Sequence, residues 1–110
     1  MTNLTPRPHA NQLEIFKPVT MPEYKEIYAI SNLGRIKNIR TGRILRICID
    51  GPGYSYVNLF KNGKGRNFHI HRMVAQAFLP TPPLEKFEVN HIDGIKGHNW
   101  VENLEWVTKS

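Results

Sequence analysis

The stretch from Val89 to Thr108, VNHIDGIKGHNWVENLEWVT, constrains the fold more than any other part of the chain. A short apolar approach ends in Asn90-His91, and Asp93-Gly94 makes a turn. A polar loop of small and amide residues then leads to Asn103 and the apolar run Leu104 to Val107. Turn-forming residues between two strand-like runs predict a β-hairpin with a long, structured loop. Two indoles, Trp100 and Trp106, fall within it. They are costly to leave in water, so the hairpin should be pinned against a core. A histidine at the end of its first strand is a side chain that can take a proton from water. Amide or carboxylate oxygens beside it can hold a hard divalent cation. Asn103 can lock the loop through its own donors and acceptors. Together these make a site for metal-assisted hydrolysis of phosphodiesters. The plainer reading is that Asn, Asp, Gly and His only form turns here, and residue types alone leave both open.

Charge adds a partner. The 110 residues suit one modest domain with a small core. The net charge is +6, and its distribution says more than its total. From Arg35 to Arg72 nine lysines and arginines face one acid, Asp50, a local net of +8 in a third of the chain. A polyanion is the natural partner, against the alternative of a merely solvated basic face. One cysteine, Cys48, excludes an internal disulfide framework and a Cys-rich zinc site. Lying in the apolar run Ile44 to Ile49, it is expected as a small buried hydrophobe. No stretch approaches membrane-spanning length and the N-terminus lacks an apolar signal core, so the expected location is the cytoplasm, with no membrane contact.

Residues 1–13 hold two prolines and no periodicity and read as a flexible tail. Pro18 and Pro22 restrict any strand between Glu14 and Tyr24 to a short or edge position. Ile27 to Ser31 and Arg35 to Ile39 are strand candidates around the turn Asn32-Leu33-Gly34, and Arg43 to Ile49 continues the alternation loosely. Tyr54 to Phe60 and Asn67 to Ile70 flank Asn62-Gly63, a strong tight-turn signal. The period changes at His71. Val74 and Phe78 lie four apart, giving a short amphipathic helix over 71–79 that Pro80 stops. Pro82-Pro83 reads as a stiff linker into the hairpin.

These pieces carry a family resemblance. Tyr28-Ala-Ile-Ser-Asn-Leu-Gly-Arg-Ile-Lys-Asn38 resembles the DNA-binding module found in front of phage and intron HNH nucleases. His71-Arg-Met-Val-Ala-Gln-Ala-Phe78, Val89-Asn-His-Ile-Asp-Gly94 and Asn103-Leu-Glu-Trp-Val-Thr108 resemble the HNH, or His-Me finger, domain itself. The resemblance runs from about Glu14 to the last residue. It implies an α+β fold: a small basic antiparallel β meander, a short helix, and a ββα-metal-type hairpin lacking most of its final helix, because Ser110 comes a few residues before the ligand expected there. It divides the chain into a tail (1–13), a nuclease-associated DNA-binding module (14–68) and an HNH domain (69–110). It implies a homing-type endonuclease that hydrolyses, or nicks, double-stranded DNA with a divalent metal ion, Mg²⁺ or Mn²⁺, in a bacterial or phage-infected host cell. His91 would be the general base, Asn103 the bracing middle residue, and Asn90 the metal ligand. Arg35, Lys37, Arg40, Arg43, Lys61, Lys64, Arg66 and Lys96 would contact DNA, and no protein partner is implied.

Several residues keep plainer readings. His69 and His71 could pair on a metal, or be buried or cap the helix. Asp93 beside Gly94 suits a turn better than a ligand, and His98 reads equally as a solvated loop residue or a phosphate contact. Tyr54, Tyr56 and Phe60 could stack on bases, though alternating aromatics on a strand more often face a core. Trp100 and Trp106 are expected in the core. Two rival functions remain: a DNA-binding remnant of a nuclease without its chemistry, and a basic RNA-binding domain.

Overall fold

The computed structural model describes residues 13–82 and 86–109. The tail expected over residues 1–13, apart from Leu13, lies outside the described residues, as does the place of the final helix. Strands β1 (Phe16–Pro18), β2 (Tyr28–Ser31) and β3 (Ile36–Asn38) form an antiparallel sheet in that order. The prolines hold β1 to three residues at the sheet edge. All four residues of β2, the central strand, are buried. A second sheet consists of β4 (Cys48–Ile49), β5 (Ser55–Lys61) and β6 (Lys64–His69). Between β5 and β6, Asn62 (φ 54°) and Gly63 (φ 78°) both take the left-handed conformation. Two such residues make the tight turn whose twist matches antiparallel strands, as the Asn-Gly pair predicts.

Helix α1 (Ile70–Phe78) follows directly, one residue earlier than its periodicity marks. The hairpin is β7 (Phe87–His91) paired with β8 (Leu104–Thr108), His91 opposite Leu104, with a single 3₁₀ turn over Val101–Asn103 just before β8. Helix α1 touches both the second sheet and the hairpin. Its Ile70, Met73 and Val74 join Ile30, Ile36, Val57, Leu59 and Leu104 in one core. Trp100 is buried, and half-buried Trp106 donates its indole N–H to the Pro80 carbonyl (2.8 Å), tying the hairpin to the chain just past the helix. Among the described residues no helix is long and apolar enough to cross a membrane.

The α+β class is as expected, with the antiparallel strands of the basic region parted into two sheets. The parting falls within Arg43 to Ile49. Ile44 bridges to Lys37 of β3, whereas Cys48 and Ile49 pair with β5. The stretch thus changes partner midway, which leaves Ile44, Ile47 and Ile49 exposed and Cys48 only half-buried rather than sealed in a core. The Tyr28 hydroxyl joins the sheets, accepting from Phe60 N (3.1 Å) and donating to Phe60 O (3.3 Å). On β5 the inward positions are Ser55, Val57 and Leu59. The intervening Tyr56 is half-buried and Phe60 is 54% exposed, so the aromatics of this strand lie on its outer face and not in the core.

Candidate active site

The end of β7 places His91 inward, 7% exposed, because alternate strand residues face opposite sides and Val89 already faces the core. His91 Nε2 donates to Asn99 Oδ1 (2.7 Å). An amide oxygen only accepts, so Nε2 carries the proton and Nδ1 keeps its lone pair. Asn99 is itself buried, and it meets the first sheet. A side chain at Gly34 (φ +89°) would lie 3.1 Å from the Asn99 carbonyl oxygen, so only glycine both adopts this turn and lets Asn99 approach. Val101 N donates to Asn32 O (2.9 Å) in the same seam.

Asn103 is completely buried and braces the loop. Its Nδ2 donates to Asp93 Oδ1 (3.0 Å) and His98 O (2.9 Å), its Oδ1 accepts from Asp93 N (3.2 Å), and its backbone carbonyl accepts from Ile92 N (2.8 Å). Asp93 is a turn former with additional partners, since His98 Nδ1 and Ile95 N also donate to it (2.7 and 2.8 Å). Burial alone would raise its pKa. Donors from His98, Ile95 and Asn103 outweigh this and hold it down to about 2. The residue joined to the His91 ring is therefore Asn99, while Asn103 secures the chain immediately after His91.

Around His91 the fold gathers rings from three further positions. The His71 ring lies 5.0 Å from that of His91, and Tyr54 stacks on His71 at 5.1 Å. His69 lies 5.4 Å from His71, and its Nε2 donates to Asp50 Oδ2 (2.8 Å). Lys96 arches over the Tyr54 ring (4.8 Å) and donates to Pro52 O (2.8 Å), linking the β7–β8 loop to the β4–β5 turn. Burial, then the neighbouring His91, His69 and Arg72, pushes the His71 pKa down to about 4. Among the described residues no three His, Cys, Asp or Glu side chains converge to hold a metal ion, so His69 and His71 do not form a metal site with a third such ligand.

Asn90 faces the other side of the ribbon from His91. It is exposed, and its Nδ2 donates to Glu105 Oε2 (2.9 Å) directly across the ladder. Its Oδ1 has no donor among the described residues. An amide oxygen is a hard-oxygen donor, and Mg²⁺-like ions are commonly held by one or two protein groups plus water and phosphate. Asn90 thus offers a divalent cation one oxygen, on the face of the ribbon away from His91.

The basic residues do not form one surface of free cations. Arg35 is held in a two-pronged ion pair by Glu14 (2.6 and 2.9 Å), Lys37 sits over the Phe16 ring (4.2 Å), and Arg66 lies 3.5 Å from Glu23. Arg40, Arg43, Lys61 and Lys64 are exposed, the first two after β3 and the other two at the β5–β6 turn. Arg43 and Arg46 line a surface groove with Phe60 and Asn58. The sequence reading missed Asn99 and Gly34 as parts of the site, and offered Tyr54 only as a base-stacking or core residue. Their contacts to the His91 cluster cross from one element to another, and no local pattern marks them.

A family model described as "HNH endonuclease" matches residues 68–110, and one described as "NUMOD4 motif" matches residues 14–60. Residues 68–110 form an HNH endonuclease domain, with a NUMOD4 motif ahead of it. Over 86 residues it is 41% identical to DNA endonuclease I-HmuI of Bacillus phage SP01, covering 78% of this chain and 49% of that protein. Over 99 residues it is 34% identical to H-N-H endonuclease F-TflII of Escherichia phage T5, covering 89% and 50%. The solved structure of I-HmuI, described as DNA binding and cleavage by an HNH homing endonuclease, superposes with a TM-score of 0.74 at 37% identity, covering 86% of this chain and 52% of that one. The chain thus spans about half the length of these two relatives. HNH endonucleases are generally metal-dependent.

Acid should destabilise this site in two stages. His71 has a folded pKa below its ordinary 6.5, so its contribution is complete above pH 6.5 and is lost as pH falls toward 4. Asp93 contributes fully above pH 3.8 and loses its contribution as pH falls toward 2. Melting temperature followed against pH should show both declines. His71→Asn should flatten the upper one and Asp93→Asn the lower. Unchanged profiles in both variants would refute the assignment.

Proposed function

We propose that this chain is the DNA-docking and nuclease portion of a metal-dependent, homing-type endonuclease that hydrolyses phosphodiester bonds in double-stranded DNA. The observation that carries this reading is the His91 ring. It is held by Asn99 so that Nδ1 keeps its lone pair, on a loop that Asn103 locks from within. A fixed imidazole with a free ring nitrogen is a general base for water. His91 takes the proton from the attacking water, Asn99 keeps the tautomer that leaves Nδ1 able to accept it, and Asn103 keeps the loop from collapsing onto the ring. When bound, a divalent ion, Mg²⁺ or Mn²⁺, supplies charge neutralisation at the phosphate. Asn90 is the motif residue that would hold it; its side chain pairs with Glu105 on the face of the ribbon opposite His91, so serving the phosphate beside His91 requires it to turn away from Glu105.

Nicking of supercoiled plasmid, with and without EDTA, tests the reaction. Metal-dependent nicking supports it, and tight duplex binding with no nicking under any Mg²⁺ or Mn²⁺ concentration leaves the binding-only alternative. Competition between duplex DNA and RNA addresses the RNA-binding alternative.

Docking should be largely electrostatic. Arg40, Arg43 and Lys64 are exposed, whereas Arg35 is committed to Glu14, so the first three are the better phosphate contacts. Each lost phosphate contact should reduce the slope of log affinity against log salt by about 0.9. The triple alanine variant should therefore flatten the slope by about 2 to 3. An unchanged slope places the docking surface elsewhere.

A further inference from the structure

His71 has no place in the reaction described above, yet its environment is unusual. The residue is 6% exposed, and its Nδ1 is sealed from solvent with no hydrogen-bond partner. The ring makes no hydrogen bond to any described residue, although it lines a cleft of about 350 Å³. A buried polar side chain without a partner is rare in a folded protein and calls for a reason. In a neutral imidazole one nitrogen carries the proton and the other a lone pair. A sealed N–H without an acceptor is the costlier orphan, so the proton belongs on Nε2. His71 thus offers a donor to the cleft.

The surroundings suit an anion. His71 is the second residue of α1, a helix whose first turn has no side-chain cap and no acid. Its uncapped N–H groups and the positive end of its dipole favour a negative ligand there. Arg72, the next residue, lines the same cleft, is exposed, and has no acidic partner among the described residues. The other charged or titratable groups nearby are His69, Asp50, Tyr54, His91, Glu88 and Lys109. Asp50 is already engaged by His69 Nε2 and by the Gly53 and Tyr54 N–H groups. Glu88 is an exposed acid on the β7 side of the cleft.

We propose that the start of α1 is a phosphate-binding subsite, in which His71 Nε2 and the Arg72 guanidinium donate to a phosphodiester of the bound DNA strand beside His91. The 5.0 Å between the two imidazole rings suits this. A phosphate on one and an attacking water on the other must approach to about 3–3.5 Å. The inference rests on the nuclease reading for its role, but the subsite itself is testable without cleavage.

The first arm is ¹⁵N NMR of the histidine rings of the wild-type chain, titrated with the dinucleotide thymidylyl-thymidine as a phosphodiester probe. A saturable shift of His71 Nε2, weakened at least tenfold in Arg72→Ala, is expected. No shift of His71 at saturating probe, or the same affinity in Arg72→Ala, overturns the subsite. The second arm is kinetic. His71→Phe, which keeps a ring but no donor, should lower kcat by about 10²-fold, the usual loss for one donor to a developing anionic oxygen. His71→Asn, which retains an N–H donor, should lose less than tenfold. A His71→Phe variant cleaving within twofold of wild type overturns the role of His71 in the reaction. A wild-type chain that shifts with the probe yet never nicks DNA sustains the subsite and refutes the nuclease reading instead.

Discussion

Alanine in place of His91 should lower the rate of DNA cleavage by about 10²–10⁴-fold while leaving DNA binding nearly intact. The general base acts only on the chemical step. The exposed cations that would meet phosphate, Arg40, Arg43, Lys61 and Lys64, lie on other elements. The ring is nearly buried, so the variant also loses packing against His71 and Tyr54, and its fold must be checked by melting before rates are compared. Asn99→Ala offers a graded control. It keeps the imidazole but removes the acceptor that fixes the proton on Nε2, so some rings place their proton on Nδ1 and cannot accept another. An intermediate loss is expected. Nicking by folded His91→Ala at near the wild-type rate would remove His91 from the mechanism.

Asn103→Ala should produce the largest loss of stability. The side chain is fully buried and makes three hydrogen bonds, two as donor and one as acceptor. Alanine leaves the Asp93 N–H and the His98 carbonyl unpaired inside the loop, at about 1–3 kcal/mol each. A domain of this size responds to each kcal/mol with a shift of several degrees, so a fall in melting temperature on the order of 10 °C is expected. Cleavage should fall as well, because the loop that these bonds hold begins at the residue after His91. Asn103→Asp, isosteric but without the amide donors, should be nearly as damaging, since it sets a second carboxylate against Asp93. A variant that melts at the wild-type temperature would end the bracing role.

The sequence by itself determined the elements whose causes are local. Asn62-Gly63 dictates a two-residue hairpin turn because both positions tolerate positive φ. Val74 and Phe78, followed by Pro80, dictate a short helix and its end, and the prolines near β1 confine it to an edge. The hairpin of Val89 to Thr108 was legible from its turn residues, and the candidate roles of Asn90, His91 and Asn103 from their place in the family motif. Tertiary structure alone decided the rest. Which residue holds the His91 ring is one such case, because the loop carries two amides, Asn99 and Asn103, and it is Asn99 and Val101 that Gly34 and Asn32 of the β2–β3 turn press against. The meeting of His71 with His91, twenty residues apart, depends on how α1 lies against the hairpin. The basic run reads as uniform charge in the sequence. In the fold Glu14, remote in the chain, takes the Arg35 guanidinium and leaves others exposed. Turns and helix ends obey the φ and ψ limits of adjacent residues, whereas a site is assembled by contacts between elements whose mutual packing no short stretch of sequence records.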